Sequence, residues 1–359
     1  MNLLIIGLPI LSILIVMHEL GHFLAAKLGG VGVERFSLGF PPKLWGKKWG
    51  ETEYVISAIP LGGYVKLTGQ EPKEKEEEVV DPEKSFSAKP VPIRMLVVVA
   101  GPLFNLLGAV LIFTVVHLSG VPIPIAKVGE VVPDSPAMKA GLKAGDRIVA
   151  IEGEQVSEWD QLTKFIHNNP GKSLLLVIQR GEQRFSVRVI PEAQVMKDLM
   201  GGETRVGLIG IRQSDRPEDY VYKRYNPVVA LYKGFEKTWQ VTELTLLSIV
   251  RIFQKVIPAH TIGGPIMILQ MAGQQAQQGA LNLAFFVALL SVSLAVFNLL
   301  PVPLLDGWHF FLLSIEGLMG RPVSLGKQEM AQRVGLLLLI SLMLFAFYND
   351  LMRIFGGLK

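Results

Sequence analysis

Four long apolar runs constrain the fold of this 359-residue chain more than any other feature of its sequence. A membrane-spanning helix needs about 20 apolar residues to cross a hydrocarbon core roughly 30 Å thick. The mean hydropathy of +0.40 is also too high for an ordinary soluble domain. The sequence therefore predicts a polytopic α-helical membrane protein, with transmembrane helices in residues 1–30, 94–120, 281–310 and 333–359.

The charges beside these runs predict their orientation. Lysines and arginines crowd the segment between the first and second runs and recur between the third and fourth. By the positive-inside rule both loops are cytoplasmic, so both termini and the long middle segment lie on the outer side. The first run has no basic residue before it and no convincing cleavage site, so we expect it to be retained as a span and not removed as a signal peptide.

The segments between the runs differ in character. Residues 31–70 alternate apolar and polar positions with Gly and Pro between them, which predicts a membrane-associated β-hairpin or small sheet on the cytoplasmic side. Residues 71–93 form an acidic linker, and residues 121–212 have the composition of a soluble domain. Residues 213–280 predict an amphipathic helix on the membrane surface followed by a surface loop, and residues 311–332 predict a cytoplasmic loop.

The first run contains ionisable residues, which are costly in a bilayer and usually functional. His18 and His22 lie four residues apart, so on a helix both imidazoles point from one face toward a single metal ion, with Glu19 beside them. This HExxH spacing is typical of zinc hydrolases, in which the glutamate takes a proton from water at the metal. The chain has no cysteine, which excludes thiolate ligands and disulfides.

A catalytic zinc ion needs a third protein ligand. Asp306 follows two prolines at the end of the third run and, by the topology above, lies at the same depth as the paired histidines. His309 is an alternative ligand, three residues further along and closer to water. The other histidines belong to the outer side or to the soluble segment and are poorer candidates: His117, His167 and His260.

Several motifs, in an order that covers nearly the whole chain, resemble those of one family. They are HELGH in the first run, FSAKP and AGPLFN at the second, and NLLPVPLLDG at the third. Together they resemble the site-2 protease family of intramembrane zinc metalloproteases, and the bacterial sigma-E-regulating type is the most similar. Through DSPAMKAGLKAGDRIVAIEGEQV, the soluble segment resembles a circularly permuted bacterial PDZ domain, in which RVGLIGI at 205–211 would supply the carboxylate-binding loop.

The resemblance implies Zn²⁺ bound by His18, His22 and Asp306, with Glu19 as the catalytic residue. It implies a multi-pass protein of the bacterial inner membrane, with both termini and the PDZ domain in the periplasm and the active site near the cytoplasmic side. The implied partners are single-span membrane substrates such as anti-sigma factors, remnant signal peptides, peptide or protein termini at the PDZ domain, and the lipid bilayer, but no nucleic acid. The chain departs from the common pattern where Trp308 replaces the second glycine of LDGG and where one PDZ domain replaces the two of the enterobacterial members.

The sequence also offers candidates for substrate contact. Gly62, Gly63 and Tyr64 lie in a strand whose edge can pair with an unwound substrate backbone, and a purely structural hairpin is the alternative. Asn105 either binds the substrate backbone or pins spans together by hydrogen bonding. A further set interrupts the third span: Asn298, Pro301 and Pro303. The resemblance implies substrate contact for Asn298.

The predicted function is therefore an intramembrane zinc metalloendopeptidase that cleaves single-span membrane proteins. A rival hypothesis is a non-catalytic, PDZ-bearing membrane scaffold or chaperone with a structural metal ion. The two differ at one residue, because a scaffold would bind zinc without hydrolysis and would be indifferent to Glu19→Gln.

Overall fold

The computed structural model of the chain describes residues 2–70, 81–197, 203–257, 261 and 263–355. Residues 71–80 of the predicted acidic linker and His260 lie outside the described residues. The chain divides into two compact units. We call them the helical unit, formed by Met1–Val116 with Pro227–Lys359, and the inserted unit, His117–Asn226.

The described elements are numbered in chain order. The α-helices are α1 (Asn2–Leu28), α2 (Val91–Ser119), α3 (Pro136–Lys139), α4 (Trp159–His167), α5 (Pro227–Phe253), α6 (Pro265–Gln278), α7 (Ala280–Asn298), α8 (Asp306–Met319) and α9 (Leu325–Phe355). The strands are β1 (Val33–Trp49), β2 (Thr52–Leu67), β3 (Val121–Pro124), β4 (Val128–Val131), β5 (Arg147–Ile151), β6 (Glu154–Gln155), β7 (Leu174–Arg180), β8 (Gln183–Val189), β9 (Glu192–Lys197), β10 (Glu203–Leu208), β11 (Ile211–Gln213) and β12 (Tyr220–Lys223).

Four described helices are long and apolar enough to cross a membrane, which confirms the predicted number of spans within the described part of the chain. These spans are Ile6–Leu28, Val91–Ser119, Ala280–Asn298 and Gly326–Phe355. The helix that contains the fourth span, α9, begins at Leu325 and not at residue 333. The polar residues before the apolar run are good helix formers, and they extend the helix toward its N-terminus.

The third span is shorter than predicted, and its expected continuation to residue 310 is wrong. α7 ends at Asn298, and residues 299–305 are irregular. Pro301 and Pro303 explain the break, because proline has no N–H to donate and restricts the residue before it to extended conformations. The third span therefore ends before the predicted metal ligand, Asp306.

A separate helix, α8, begins at Asp306, so much of the predicted 311–332 loop is helical. Its first turn packs tightly against the chain that precedes it. A Cβ atom at Gly307 would lie 2.3 Å from the carbonyl oxygens of both Leu299 and Leu300, which only glycine avoids. Asp306 therefore lies in the first turn of α8, a helix separate from the third span.

β1 and β2 form the sheet predicted for residues 31–70, although each strand is bent. The first part of β1 lies between two parts of β2, and the last part of β1 pairs only with the first part of β2. The order across the sheet is 63–67, 33–38, 53–57 and 43–49. We call residues 63–67 the edge segment, because among the described residues they pair with a strand on one side only.

α5 occupies the predicted amphipathic segment, but it does not simply lie on a surface. Its large apolar residues are exposed: Val228, Leu231, Phe235 and Trp239. Another face, which is rich in small residues, packs against α2 and α7. A Cβ atom at Gly234 would lie 2.7 Å from the Val110 carbonyl oxygen, so the backbones of α5 and α2 approach closely. Small residues permit this approach, which stabilises helix pairs in lipid.

The prediction of a surface loop after α5 is wrong for residues 265–278, because Pro265–Gln278 form the helix α6. Its N-terminus is capped by the buried Asp350 of α9. The carboxylate accepts hydrogen bonds from the backbone N–H groups of Gly264 at 2.9 Å, Ile266 at 3.0 Å and Met267 at 3.2 Å. Pro265 in the first turn is a local signal for this helix start, whereas the capping carboxylate belongs to a distant helix.

The inserted unit has an apolar core between its sheet and helices. The largest sheet has the order β6-β5-β7-β8, and β4, α3 and β5 follow one another near the start of the unit. The core includes Ile148, Ile151, Leu162, Leu176 and Ile178.

Asp219 of the inserted unit is a buried carboxylate. Burial opposes its ionisation, but Lys127 Nζ at 2.6 Å and Ser214 Oγ at 2.6 Å donate hydrogen bonds to the two carboxylate oxygens. These contacts more than offset burial and hold the pKa of Asp219 below its ordinary value of 3.8.

Candidate metal centre

The two histidines of the first span face the same direction from α1. Their Nε2 atoms are 3.2 Å apart, as the four-residue spacing predicts, because residues i and i+4 share a helix face. Both rings are largely buried, and they line a cavity of about 1320 Å³ within the helical unit. The sequence prediction that His18 and His22 point at one place therefore agrees with this geometry.

Asp306 meets the two imidazoles from α8. Its Oδ2 lies 2.9 Å from His18 Nε2 and 3.4 Å from His22 Nε2. A search of the described residues for clusters of His and acidic side chains finds His18, His22 and Asp306. Their possible ligand atoms all lie within 4.8 Å of one another. His309, the alternative ligand, lines the same cavity but is outside this group.

The spacing of these three atoms suits a zinc ion. A tetrahedral ion with bonds of about 2.0–2.1 Å has ligands roughly 3.3 Å apart. The observed separations are 3.2, 2.9 and 3.4 Å, and one coordination position remains for water or substrate. Two neutral imidazoles and a carboxylate form a donor set that zinc prefers in catalytic sites.

Groups on α2 orient the two rings from behind. His22 Nδ1 lies 2.8 Å from the Val97 carbonyl oxygen, which can only accept, so the ring proton sits on Nδ1 and Nε2 is free to bind a metal. His18 Nδ1 faces the side-chain amide of Asn105 at 3.5 Å. The buried Oδ1 of Asn105 has no hydrogen-bond partner, and rotating the amide would turn this acceptor toward His18 Nδ1–H. In that orientation Asn105 would support the ring of His18, one of the predicted metal ligands.

Two glycines allow α1 and α2 to come this close, and sequence reasoning missed both. A Cβ atom at Gly101 of α2 would lie 2.3 Å from His22 Nε2 and 2.9 Å from His18 Nε2. A Cβ atom at Gly21 of α1 would lie 2.3 Å from the Ala100 carbonyl oxygen. The available signals were the glycine inside HELGH and the glycine of AGPLFN, which mark small positions within spans.

Glu19 lies between the metal centre and the edge segment. Its side chain lines the cavity beside His18, and the Val65 backbone N–H donates to its carboxylate. A Cβ atom at Gly63 would lie 3.4 Å from Glu19 Cγ, in ordinary contact distance. The edge segment therefore passes directly beside the glutamate.

The structure brings most of the predicted substrate-contacting residues to the cavity. Its lining includes Gly62, Gly63, Tyr64, Asn105 and Asn298. The cavity thus has a backbone edge on one side and two amide side chains on others. Such groups can bind the polar backbone of an extended chain.

Two other sequence candidates, Pro301 and Pro303, and the motif residue Trp308 do not line the cavity. Pro301 is exposed, and Pro303 packs against α9, where a Cβ atom at Gly335 would lie 2.3 Å from Pro303 Cβ. Trp308 is partly buried beside Phe311 and also lies outside the lining. The prolines therefore shape the break between α7 and α8 and do not form part of the cavity wall.

A charged cluster joins the end of α1 to the turn of the sheet. Glu51 accepts hydrogen bonds from Lys27 Nζ at 2.5 Å and Lys84 Nζ at 2.9 Å. These two ammonium groups hold the pKa of the Glu51 carboxyl below its ordinary value. The cluster fixes the sheet to the helix that supplies both histidines.

Comparisons with known proteins find a matching family and similar proteins. The model of peptidase family M50 matches residues 6–342. A putative zinc metalloprotease of Rhizobium meliloti (strain 1021) is 34% identical over 97% of this chain and 96% of its own length. The regulator of sigma-E protease RseP of Escherichia coli (strain K12) is 32% identical over 96% of this chain and 97% of its own length. Among solved structures, the PDZ domain of an SdrC-like protein from Listeria monocytogenes is 26% identical, covers 26% of this chain and 93% of that chain, and has a TM-score of 0.21.

Proposed function

This chain belongs to peptidase family M50, and we propose that His18, His22 and Asp306 hold its zinc ion while Glu19 acts as its catalytic base. It is a zinc metalloprotease and a multi-pass protein of the inner membrane. The observation that supports the site assignment is the convergence of three ligand atoms, 2.9–3.4 Å apart, from two helices distant in sequence.

When bound, zinc supplies a Lewis acid that acidifies water and polarises the scissile carbonyl. The protein's own groups prepare the site for it. His18 and His22 present Nε2 to the centre, and the Val97 carbonyl keeps the proton of His22 on Nδ1. Asp306 brings a negative charge into a cavity that is otherwise partly apolar, which favours a cation there.

Glu19 moves the proton during hydrolysis. Its carboxylate takes a proton from the attacking water and delivers it to the leaving amide nitrogen, as a general base and then a general acid. The N–H of Val65 holds the carboxylate at the edge segment, where the substrate backbone would pass. Glu19 is therefore expected to act on chemistry and not on metal binding.

A helical substrate hides its carbonyls in i to i−4 hydrogen bonds and must be opened before cleavage. The edge segment supports a role in this step, because it lies beside Glu19 and can pair with freed backbone as an added strand. The chain has no cysteine, so disulfide trapping can test the pairing. In a Glu19→Gln background, Lys66→Cys in the edge segment should cross-link to a single-cysteine substrate. Lys47→Cys at the opposite edge should not, and equal trapping at both positions would argue against pairing.

The proposed substrates are single-span membrane proteins, including anti-sigma factors already trimmed outside the membrane and remnant signal peptides. The name of the Escherichia coli relative, regulator of sigma-E protease, supports this class. The inserted unit would act as a periplasmic PDZ domain that binds chain termini and excludes substrates whose outer domain is still attached.

The charge pattern supports periplasmic termini and a periplasmic inserted unit. Glu182→Cys in the inserted unit should then react with a membrane-impermeant maleimide in cells with a permeabilised outer membrane. Lys48→Cys in the sheet should react only after the inner membrane is opened. The reverse pattern would overturn the proposed orientation.

The function is tested with purified full-length protein and a single-span substrate, with and without a chelator. Wild-type protein should cleave only in the absence of chelator. Glu19→Gln should retain stoichiometric zinc and lose cleavage, whereas His18→Ala should lose zinc. Cleavage by the Glu19→Gln protein at the wild-type rate would remove Glu19 from its proposed role.

The rival hypothesis was a non-catalytic scaffold with a structural metal ion. The relatives named zinc metalloprotease and protease RseP do not favour it. The three-ligand geometry also argues against it, because structural zinc sites use four protein ligands.

A further inference from the structure

The cavity that contains the metal centre also contains a buried ion pair with no part in the chemistry described above. Arg94 of α2 and Glu316 of α8 meet at two points, with Nη2–Oε1 at 2.5 Å and Nη1–Oε2 at 3.1 Å. Their side chains are only 13% and 16% exposed. Arg94 Nε also donates to the Lys89 carbonyl oxygen at 2.9 Å. The guanidinium is therefore held in one orientation, as in other two-point contacts with carboxylates.

The position of Arg94 on α2 relates it to the histidine ligands. It lies three residues, or about one turn, before Val97, whose carbonyl oxygen accepts from His22 Nδ1. It lies two turns before Gly101, which packs against both Nε2 atoms. Arg94 thus belongs to the helix that forms the wall behind the two histidines.

The position of Glu316 on α8 relates it to the third ligand. Asp306 begins this helix, and Glu316 lies ten residues later, about 15 Å along the axis. Residues 299–305 interrupt the connection to α7, and the N-cap residue Leu305 makes no side-chain capping bond. Beyond the packing of Gly307 in its first turn, the direction of α8 therefore depends on contacts along its length, such as the one at Glu316.

Small changes in that direction matter at the metal. Without the contact at Glu316, α8 could slide or tilt as a rigid rod, and a tilt of about 5° displaces one end by roughly 1.3 Å relative to the other over this length. Metal–ligand distances are held within about 0.2 Å in well-formed sites. A contact that prevents such a tilt would therefore control whether the third ligand reaches the ion.

We propose that Arg94 and Glu316 are positioning residues for the metal centre. Their ion pair fixes α8 against α2 and so holds the Asp306 carboxylate beside His18 and His22. The inference rests on the proposed zinc site. It assigns the pair a role that a purely stabilising contact would not have, since two buried charges can be replaced by apolar side chains with little loss of stability.

Three variants of the full-length protein in detergent test this. Glu316→Gln removes one charge and leaves Arg94 without its carboxylate. The double variant Arg94→Met with Glu316→Leu removes both charges, so no isolated charge is buried and the protein should fold. Asp350→Asn is the matched control, because it neutralises a buried carboxylate of the same unit at the cap of α6.

Metal binding is measured in two ways. Zinc affinity is determined by competition with a chromophoric chelator, and the visible absorption of bound Co²⁺ reports the coordination geometry. We expect both ion-pair variants to bind zinc about tenfold more weakly or worse, as for other groups that orient metal ligands. Their Co²⁺ bands should also change in intensity or position. Asp350→Asn should match the wild type in both readouts.

The inference is overturned if the double variant has wild-type zinc affinity and a wild-type Co²⁺ spectrum. It is also overturned if Asp350→Asn weakens zinc to the same degree, because the effect would then be general loosening of the unit. Failure of the underlying zinc site is separately visible, since in that case wild-type protein would not bind either ion, or His18→Ala would bind zinc normally.

Discussion

The two units of this protein place their large apolar side chains differently. The inserted unit encloses large apolar residues, among them Ile148, Leu162 and Leu176, which are fully buried. In the helical unit, close contacts are made by small residues such as Gly101 and Gly234, while large apolar side chains of α5 and α9 face outward. The solvent explains the difference, since water drives large apolar groups inward but lipid does not.

This contrast has a consequence for catalysis. Gly21 and Gly101 bring the backbones of α1 and α2 into contact, so α2 lies directly against the rings of His18 and His22, the proposed zinc ligands. A core of large side chains gives stability but keeps backbones further apart. The close packing of helices in the helical unit therefore shapes the proposed zinc site. The buried apolar core of the inserted unit instead stabilises that unit.

The largest effect is expected at Gly101. An alanine methyl group there would lie 2.3 Å from His22 Nε2, where the metal must be approached. Gly101→Ala should lower zinc affinity by at least about 100-fold and abolish cleavage, by chelator competition and substrate assay. Gly108→Ala is the control, because the added methyl meets only the flexible end of Met17. Normal zinc binding by Gly101→Ala would contradict the close packing of α2 on the ligands.

A second change should affect only the inserted unit. Ile148→Ala removes a fully buried side chain and should lower the free energy of unfolding of this unit by about 2–5 kcal/mol. Hydrogen–deuterium exchange of its peptides in the full-length protein measures the loss. Zinc affinity should stay within about twofold of wild type, and a larger change would mean that the two units are not independent in their packing.

A third prediction concerns pH. The pKa of Asp219 is lower in the folded unit than its ordinary value, so the ionised carboxylate stabilises the fold above pH about 4. This contribution disappears as the pH falls through the folded-state pKa. Asp219→Asn should cost on the order of 1–3 kcal/mol at pH 7, and the difference from wild type should shrink below pH 4. A difference that does not change with pH would show that charge at Asp219 is not the cause.

The smallest effect is expected on the outer face of α5. Trp239 is as large as any core residue but is 65% exposed, and we expect this face to contact lipid. Trp239→Ala should change thermal stability of the protein in lipid nanodiscs by less than about 0.5 kcal/mol. A loss comparable to that of Ile148→Ala would mean that another protein surface covers this face.

Much of the site was predictable because its signals are local. The HExxH spacing determines that His18 and His22 share a helix face, and the prolines before Asp306 predict a break in the third span. The number of spans follows from apolar run length alone. The sequence also predicted a sheet at residues 31–70, because alternation and glycine turns are local patterns.

Other features were not predictable, because each depends on a partner far away in the chain. The carboxylate that caps α6, Asp350, lies on the distant α9. Residues 306–310 of α8 were assigned to the third span and the rest of this helix to a loop, and the contact of its Glu316 with Arg94 joins it to the distant α2. The role of Gly101 was not predicted. Nothing in the neighbouring sequence indicates that a Cβ atom there would lie within 3 Å of two imidazoles.

The sequence by itself determined the elements and the chemistry available to them: four apolar spans, a pair of histidines on one face of the first, and an aspartate after a proline break. Only the tertiary structure decided that this aspartate, 284 residues beyond His22, reaches the same point, and that Val97, Asn105 and Gly101 surround the rings. The reason is physical. Periodicity specifies which way a side chain leaves its own helix, whereas ligand distances depend on the angle and separation between helices, which are set by packing along their whole length.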